Sequence, residues 1–181
     1  MNKELTEKGV VIEYFEYGQD KNNQEFILAQ STVREIYDFM STEQIKNQIN
    51  ETHQVNATSH KIQEIFIDKC IDLGFSSEKK GLFSDYKTPQ LRPDYHKPIN
   101  ETGIIMEVER GKTITNNMDL LDIWKCHICK EADYLLLIVP IVRQTNSGRT
   151  TKTFDHVVNR INSFFREENF INVKGCFIIG Y

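Results

Sequence analysis

The sequence predicts an α/β fold, a mixed central sheet flanked by helices. Three observations predict it. Apolar residues recur at helical spacing between His60 and Leu73. Three short strand-like segments follow between Gly81 and Arg110. Tyr134–Val142 (YLLLIVPIV) is a nearly continuous apolar run, the pattern of a strand buried on both faces. From Lys61 onward the elements read α-β-β-β-α-β-α-β. Consecutive strands suggest hairpins, and the later alternation suggests crossovers with parallel pairing.

Taken in order, Val10–Tyr17 (VVIEYFEY) reads as a strand and Glu25–Gln30 (EFILAQ) as its hairpin partner, joined by the polar, turn-prone Gly18–Gln24. A helix is expected from Ser31 to Met40, because Thr32 and Glu35 have capping-box spacing, with a second piece over Ser41–Ile49. Asn50–Ser59 is polar and reads as a loop. In the helix His60–Leu73, the residues Ile62, Ile65, Phe66, Lys69, Cys70 and Leu73 share the helical period, and Gly74 is placed to end it. Gly81–Lys87, Leu91–His96 and Gly103–Arg110 are the expected strands. The helix Asn116–Cys129 puts Leu121, Trp124 and Ile128 on one face, so Trp124 is expected in the core. In the buried strand, Pro140 sits near the end, where a missing ladder donor does least harm. A last helix, Lys152–Glu168, leads to the strand Cys176–Tyr181.

At 181 residues, 39% apolar and 27% charged, the chain has the size and make-up of one globular domain. Residues 1–59 read as an N-terminal hairpin and helical accessory part, and residues 60–181 as the core that carries the site. No apolar run approaches the roughly 20 residues of a membrane span. The start, MNKELTEKG, lacks the apolar centre of an export signal. A cytoplasmic protein is expected, with Cys70, Cys126, Cys129 and Cys176 as reduced thiols. Cys126-His-Ile-Cys129 has CxxC spacing, but no second pair completes a zinc site. A redox pair belongs at a helix N-terminus, and this one falls near a C-terminus. Half-buried structural cysteines are the reading. The net charge of −4 does not favour a polyanionic partner. It is uneven, however: residues 1–68 hold 12 acidic and 6 basic residues, and residues 69–181 hold 14 acidic and 16 basic, so the core is the less acidic part.

The segment with chemistry in it is Leu91–Gly111, LRPDYHKPINETGIIMEVERG. Side chains alternate along a strand, so Glu107 and Glu109 share one face with Ile105, while Ile104, Met106 and Val108 share the other. Two neighbouring carboxylates at the end of an apolar strand repel each other and resist desolvation. A divalent cation is the simplest compensation. A hairpin through Lys97–Thr102 would carry Asp94 back to Glu107, and the pair could share one hard cation such as Mg²⁺ through oxygen ligands. A site of this kind serves phosphodiester hydrolysis, because the metal polarises the phosphate and acidifies a bound water. Glu109, one step along the strand, is placed to position or deprotonate that water.

Pro93-Asp94, a short hairpin, then Glu107-Val108-Glu109 resembles the motif of the PD-(D/E)xK nuclease superfamily, which includes many type II restriction endonucleases. The resemblance covers Lys61–Val142. It implies a restriction endonuclease-like α-β-β-β-α-β core. It further implies a Mg²⁺- or Mn²⁺-dependent endodeoxyribonuclease with DNA as partner, commonly a homodimer. Asp94, Glu107 and the Val108 carbonyl would bind metal, and Asp94, Glu107 and Glu109 would be catalytic. Glu109 stands where that family usually has Lys. A minority, the BamHI-like restriction enzymes, is similar in carrying Glu there. The departure leaves two alternatives beside the restriction type: a structure-specific repair or recombination nuclease, and a non-catalytic DNA-binding subunit on a nuclease scaffold.

Other residues complete the candidate set. Glu64, on the helix before the strands, could add a metal-linked acid or be an exposed helix carboxylate. Lys112 or Lys125 could supply the displaced positive charge, although Lys125 could instead pair with Asp122 on the helix surface. His96, two residues past Asp94, could face the same side. Arg143–Lys152 (RQTNSGRTTK) and the strip Lys79, Lys80, Lys87 and Arg92 are basic candidates for phosphate contact.

Overall fold

The computed structural model describes residues 12–54, 58–86, 91–111, 113–144 and 148–181. The sequence-predicted Val10, Val11, Lys87 and Lys112, and residues 145–147 of the basic segment Arg143–Lys152, lie outside them. Strand β1 (Glu13–Gly18) is followed by helices α1 (Gln24–Met40), α2 (Glu43–Thr52) and α3 (Ser59–Gln63). A 3₁₀ turn, Glu64–Phe66, joins α3 to α4 (Ile67–Asp72). Then come β2 (Ser76–Ser77), β3 (Tyr95–Ile99), β4 (Thr102–Val108), α5 (Met118–Ile128) and β5 (Tyr134–Val139). The chain ends with β6 (Val142–Gln144), β7 (Thr150–Lys152), α6 (Thr153–Asn162) and β8 (Gly175–Gly180).

Among the described residues, one sheet has the order β1-β8-β5-β4-β3-β2, and β6-β7 forms a separate ribbon. β4, β5 and β8 run parallel, while β1 on β8 and β3 on β4 are antiparallel. The sheet is therefore mixed, as expected. Strand alternation sorts the core into two layers. Ile104, Met106 and Val108 pack with Leu136, Ile138 and Phe177 against Phe26, Val33 and Ile36 of α1, Ile62 of α3 and Phe66 of the 3₁₀ turn. Ile105, Leu135, Leu137 and Ile178 pack against Ile123, Val157 and Ile161 of α5 and α6.

Several elements differ from the sequence reading. Glu25–Gln30 is not a strand: it opens α1, a 17-residue helix that starts at Gln24, not near Ser31. The cap is Asn23, whose side chain accepts from the N–H groups of Glu25 at 2.7 Å and Phe26 at 3.3 Å. Thr32 lies inside the helix and bonds back to the Leu28 carbonyl, so its capping-box spacing with Glu35 is coincidental. The strand β1 pairs instead with β8, from the other end of the chain. Of the expected strand Gly81–Lys87, the described residues 81–86 are not a strand either; a 3₁₀ turn spans Ser84–Tyr86. On α5, Leu121 and Trp124 face outward, at 36% and 42% exposure. The buried residues of that helix are Asp119, Asp122, Ile123, Lys125 and Cys126.

Gly74 ends the helical run as expected, at φ +83°, with the Gly74 and Phe75 amides bonded to Ile71 and Cys70 carbonyls. Gly103 has a different role. A Cβ there would run into the backbone carbonyls of Glu131 and Lys97 and the His96 ring. Since two of these obstacles are backbone, Gly103→Ala is expected to destabilise the fold by about 1–3 kcal/mol. A lowered urea midpoint would show it; an unchanged midpoint would mean that the hairpin shifts freely.

Candidate active site

The β3–β4 hairpin does what its sequence suggests. Asn100, at φ +49°, and Glu101 make the turn, and Tyr95 pairs with Met106. Asp94, just before β3, therefore reaches the end of β4. Its Oδ2 accepts from the Val108 N–H at 2.9 Å, and its own N–H donates to Glu107 Oε2 at 3.2 Å. A second donor to Asp94 Oδ2 is Gln63 Nε2, at 2.7 Å. Gln63 is a site neighbour that sequence reading missed. Nothing marks an amide in a helix as special until the helix docks. Glu64, the residue singled out instead, is exposed and pairs with His60 at 3.3 Å.

Glu107 is 2% exposed. Its Oε1 lies 2.6 Å from Lys125 Nζ, which also lies 2.9 Å from Asp122 Oδ1. Lys125 is thus buried on the inner face of α5, contrary to the surface pairing with Asp122 that helical spacing allowed. The opposite ends of one helix turn hold an acid and a base against the strand. Asp122 itself is fully buried, and neither of its oxygens has a well-aligned hydrogen bond. Behind it, Asp119 is also fully buried and lies 3.3 Å from Arg160 Nε. Glu109 sits one residue past β4. Its N–H continues the ladder to the Ile138 carbonyl, its carbonyl accepts from the Tyr181 hydroxyl, and Thr113 Oγ1 lies 3.5 Å from its carboxylate.

The electrostatics follow from burial. Desolvation raises Asp94, opposed by the Val108 N–H and Lys125. Burial, with Asp122 adding, lifts Glu107 well above the carboxylate range although Lys125 opposes it. Burial pushes Glu109 up to about 8, with Asp122 and Asp94 adding, and Asp122 up to about 6 against the pull of Lys125. Burial works against the Lys125 charge, yet Glu107 and Asp122 hold it above the usual lysine range. Four carboxylates share one ammonium here, so the cluster has a deficit of positive charge.

That deficit has a measurable consequence. Between about pH 4.5 and 8 the folded protein keeps a proton on Glu109 that the unfolded chain has released. Stability of the metal-free protein should therefore fall as pH rises through that window. Glu109→Gln removes the effect and is expected to be more stable than wild type at pH 8 by about 1–2 kcal/mol, with no gain at pH 4. Thermal melts across pH decide it; a gain equal at both pH values would refute the cause given.

Several predicted neighbours stand elsewhere. His96 is buried with Nε2 against the Glu131 carbonyl at 3.0 Å and takes no part in the carboxylate contacts. Arg143 bonds Thr115 at 3.2 Å, Lys79 pairs with Glu131 and Arg92 with Glu78. Cys126 and Cys129 are both buried and their thiols are pushed up by burial, so they are inert. Among the described residues, no three His, Cys, Asp or Glu side chains form a ready-made metal cage. No described helix is long and apolar enough to cross a membrane.

No protein-family model and no curated protein matches the chain. Among solved structures, restriction endonuclease BglII complexed with a DNA 16-mer is similar, at a TM-score of 0.51 and 11% identity. The similarity covers 94% of this chain and 78% of that one. The fold is restriction endonuclease-like. At this identity the likeness concerns the fold, and any chemistry has to come from the residues of this chain. They converge at the carboxyl ends of parallel strands, where open α/β sheets commonly bind ligands.

Proposed function

We propose that the chain is a Mg²⁺-dependent DNA endonuclease of the restriction type, hydrolysing phosphodiester bonds. The observation that carries this is the meeting of Asp94, Glu107 and Lys125, with Glu109 one residue further along, at the carboxyl end of β4 on a restriction endonuclease-like fold. The donor set fits a hard divalent cation. Mg²⁺ is commonly held by one or two carboxylates and keeps several waters, so a pair suffices where a closed cage is absent. Asp94 and Glu107, with the Val108 carbonyl, would hold Mg²⁺ or Mn²⁺. When bound, the ion polarises the phosphate and acidifies a coordinated water.

The chain's own groups do the rest. Gln63 and the Val108 N–H fix the Asp94 carboxylate. Glu109, whose carboxyl is pushed up to about 8, orients the attacking water and in its ionised form takes the proton, since a base works best with a pKa near the working pH. Lys125 supplies the positive charge that the family motif usually places at the position of Glu109. The Glu-x-Glu pattern is then a BamHI-like variant whose ammonium comes from α5. DNA is the substrate, and cutting both strands calls for two copies of the site, hence a homodimer.

Purified protein should convert supercoiled plasmid to nicked and linear forms with Mg²⁺ and not with chelator. Discrete fragments from phage DNA indicate sequence recognition, and preference for branched DNA indicates the repair-type reading instead. One observation favours a non-catalytic reading: the Lys125–Glu107 ion pair already neutralises Glu107. Intact DNA binding with neither cleavage nor Mn²⁺ binding would establish that alternative.

A further inference from the structure

We propose that Asp122 is the second seat of the Lys125 ammonium, which receives it when a divalent cation occupies Glu107. The inference rests on the metal-site reading above and adds a positioning residue to it. Lys125 Nζ stands between two carboxylates, 2.6 Å from Glu107 Oε1 and 2.9 Å from Asp122 Oδ1. The other Glu107 oxygen is engaged by the Asp94 N–H. Asp122 is fully buried and neither oxygen has a well-aligned hydrogen bond. Burying a carboxylate is costly, and the Lys125 ammonium 2.9 Å from Oδ1 is the charge that offsets it. Lys125 already touches one Asp122 oxygen, so a short shift of the ammonium away from Glu107 would leave it wholly with Asp122.

The chemistry of the neighbours says what drives that shift. A dication at Glu107 and an ammonium 2.6 Å from the same oxygen repel each other strongly. Lys125 cannot retreat to water, because its side chain is 7% exposed. It needs another anion within a small movement. Asp122 is three residues back on the same helix, so it stays beside Lys125 wherever β4 moves. The neighbouring acid, Asp119, has Arg160 at 3.3 Å, whereas the ion-pair partner of Asp122 is Lys125. Asp94 and Glu109 face the cluster as well, but both belong to the hairpin side that would meet the metal. Asp122 thus makes room for the cation at Glu107 without stranding a buried charge.

The test is a double-mutant cycle read by Mn²⁺ affinity, using calorimetry on the full chain with folding checked by circular dichroism. Asp122→Asn alone is expected to weaken Mn²⁺ binding about tenfold or more. Lys125→Gln keeps a side chain that can bond both carboxylates but carries no charge to displace. In that background Asp122→Asn should cost about threefold or less. Equal losses in the two backgrounds overturn the proposal, because Asp122 would then act on the metal directly. Absence of Mn²⁺ binding in wild type overturns the metal site as well, so the two failures are distinct. If Lys125→Gln does not fold, Asp122→Glu decides: recovery of affinity relative to Asp122→Asn supports the seat, and no recovery overturns it.

Discussion

Glu107→Ala and Asp94→Ala are each expected to lower Mg²⁺-dependent DNA cleavage by about 10³-fold or more. Metal-assisted charge stabilisation is worth several kcal/mol in the transition state, and each 1.36 kcal/mol is about tenfold in rate. Both residues would lose their share of the metal, but they fail for partly different reasons. Glu107→Ala also deprives Lys125 and the Asp94 N–H of their acceptor. Asp94→Ala leaves the Val108 N–H and Gln63 without theirs. The amides separate chemistry from architecture. Asp94→Asn can still accept from Val108, and Glu107→Gln can still accept from Lys125, so folding should survive while cleavage does not. Initial rates on supercoiled plasmid, beside melting curves, make the comparison. Either alanine variant cutting within tenfold of wild type would sink the assignment.

Lys125→Met is expected to destabilise the metal-free protein by about 3–5 kcal/mol at pH 7 to 8. Removing one partner of a buried ion pair strands the other, and here Glu107 and Asp122 are both stranded beside Asp94 and Glu109. The penalty should shrink with acid. Glu109 titrates near 8 and Asp122 near 6 in the folded protein, so both are protonated at pH 5 and no longer repel. Lys125 itself is held above its usual range and is fully charged at every pH considered, so its own titration does not enter. Urea unfolding at pH 5 and pH 8 measures the difference. A loss that is the same at both would show that Lys125 matters as packing and not as charge.

The core of the fold was legible because its signals were strong. The run Tyr134–Val139 is buried throughout, and the alternation in Thr102–Val108 assigns each side chain to the correct core layer. The hairpin that joins Asp94 to Glu107 followed from spacing alone. Glu25–Gln30 failed because a six-residue apolar stretch does not distinguish helix from strand, and the deciding residue, Asn23, lies just outside it. α5 failed more instructively. Its apolar stripe, Leu121 and Trp124, is turned outward, because the opposite face carries Asp122 and Lys125 to the carboxylates. Helical periodicity assumes that the greasy face is the inner one, and here that assumption is overruled by ion pairing across to β4. Lys125 was visible as a candidate from its charge, but Asp122 was not, since its only sequence signal was an ordinary i,i+3 spacing.

The provenance of these side chains has a consequence for partly folded forms. The carboxylates of Asp94, Glu107 and Glu109 come with the hairpin, whereas the ammonium and Asp122 arrive on a separate helix. A collapsed species with its secondary structure intact but α5 undocked would hold the three hairpin acids and lack the counter-charge. Such a species has no reason to stay closed at this edge of the sheet, and it gains from any stray dication. Divalent metal would then act on refolding as a competitor for the place that α5 must take, slowing the last docking step even as it favours the finished protein.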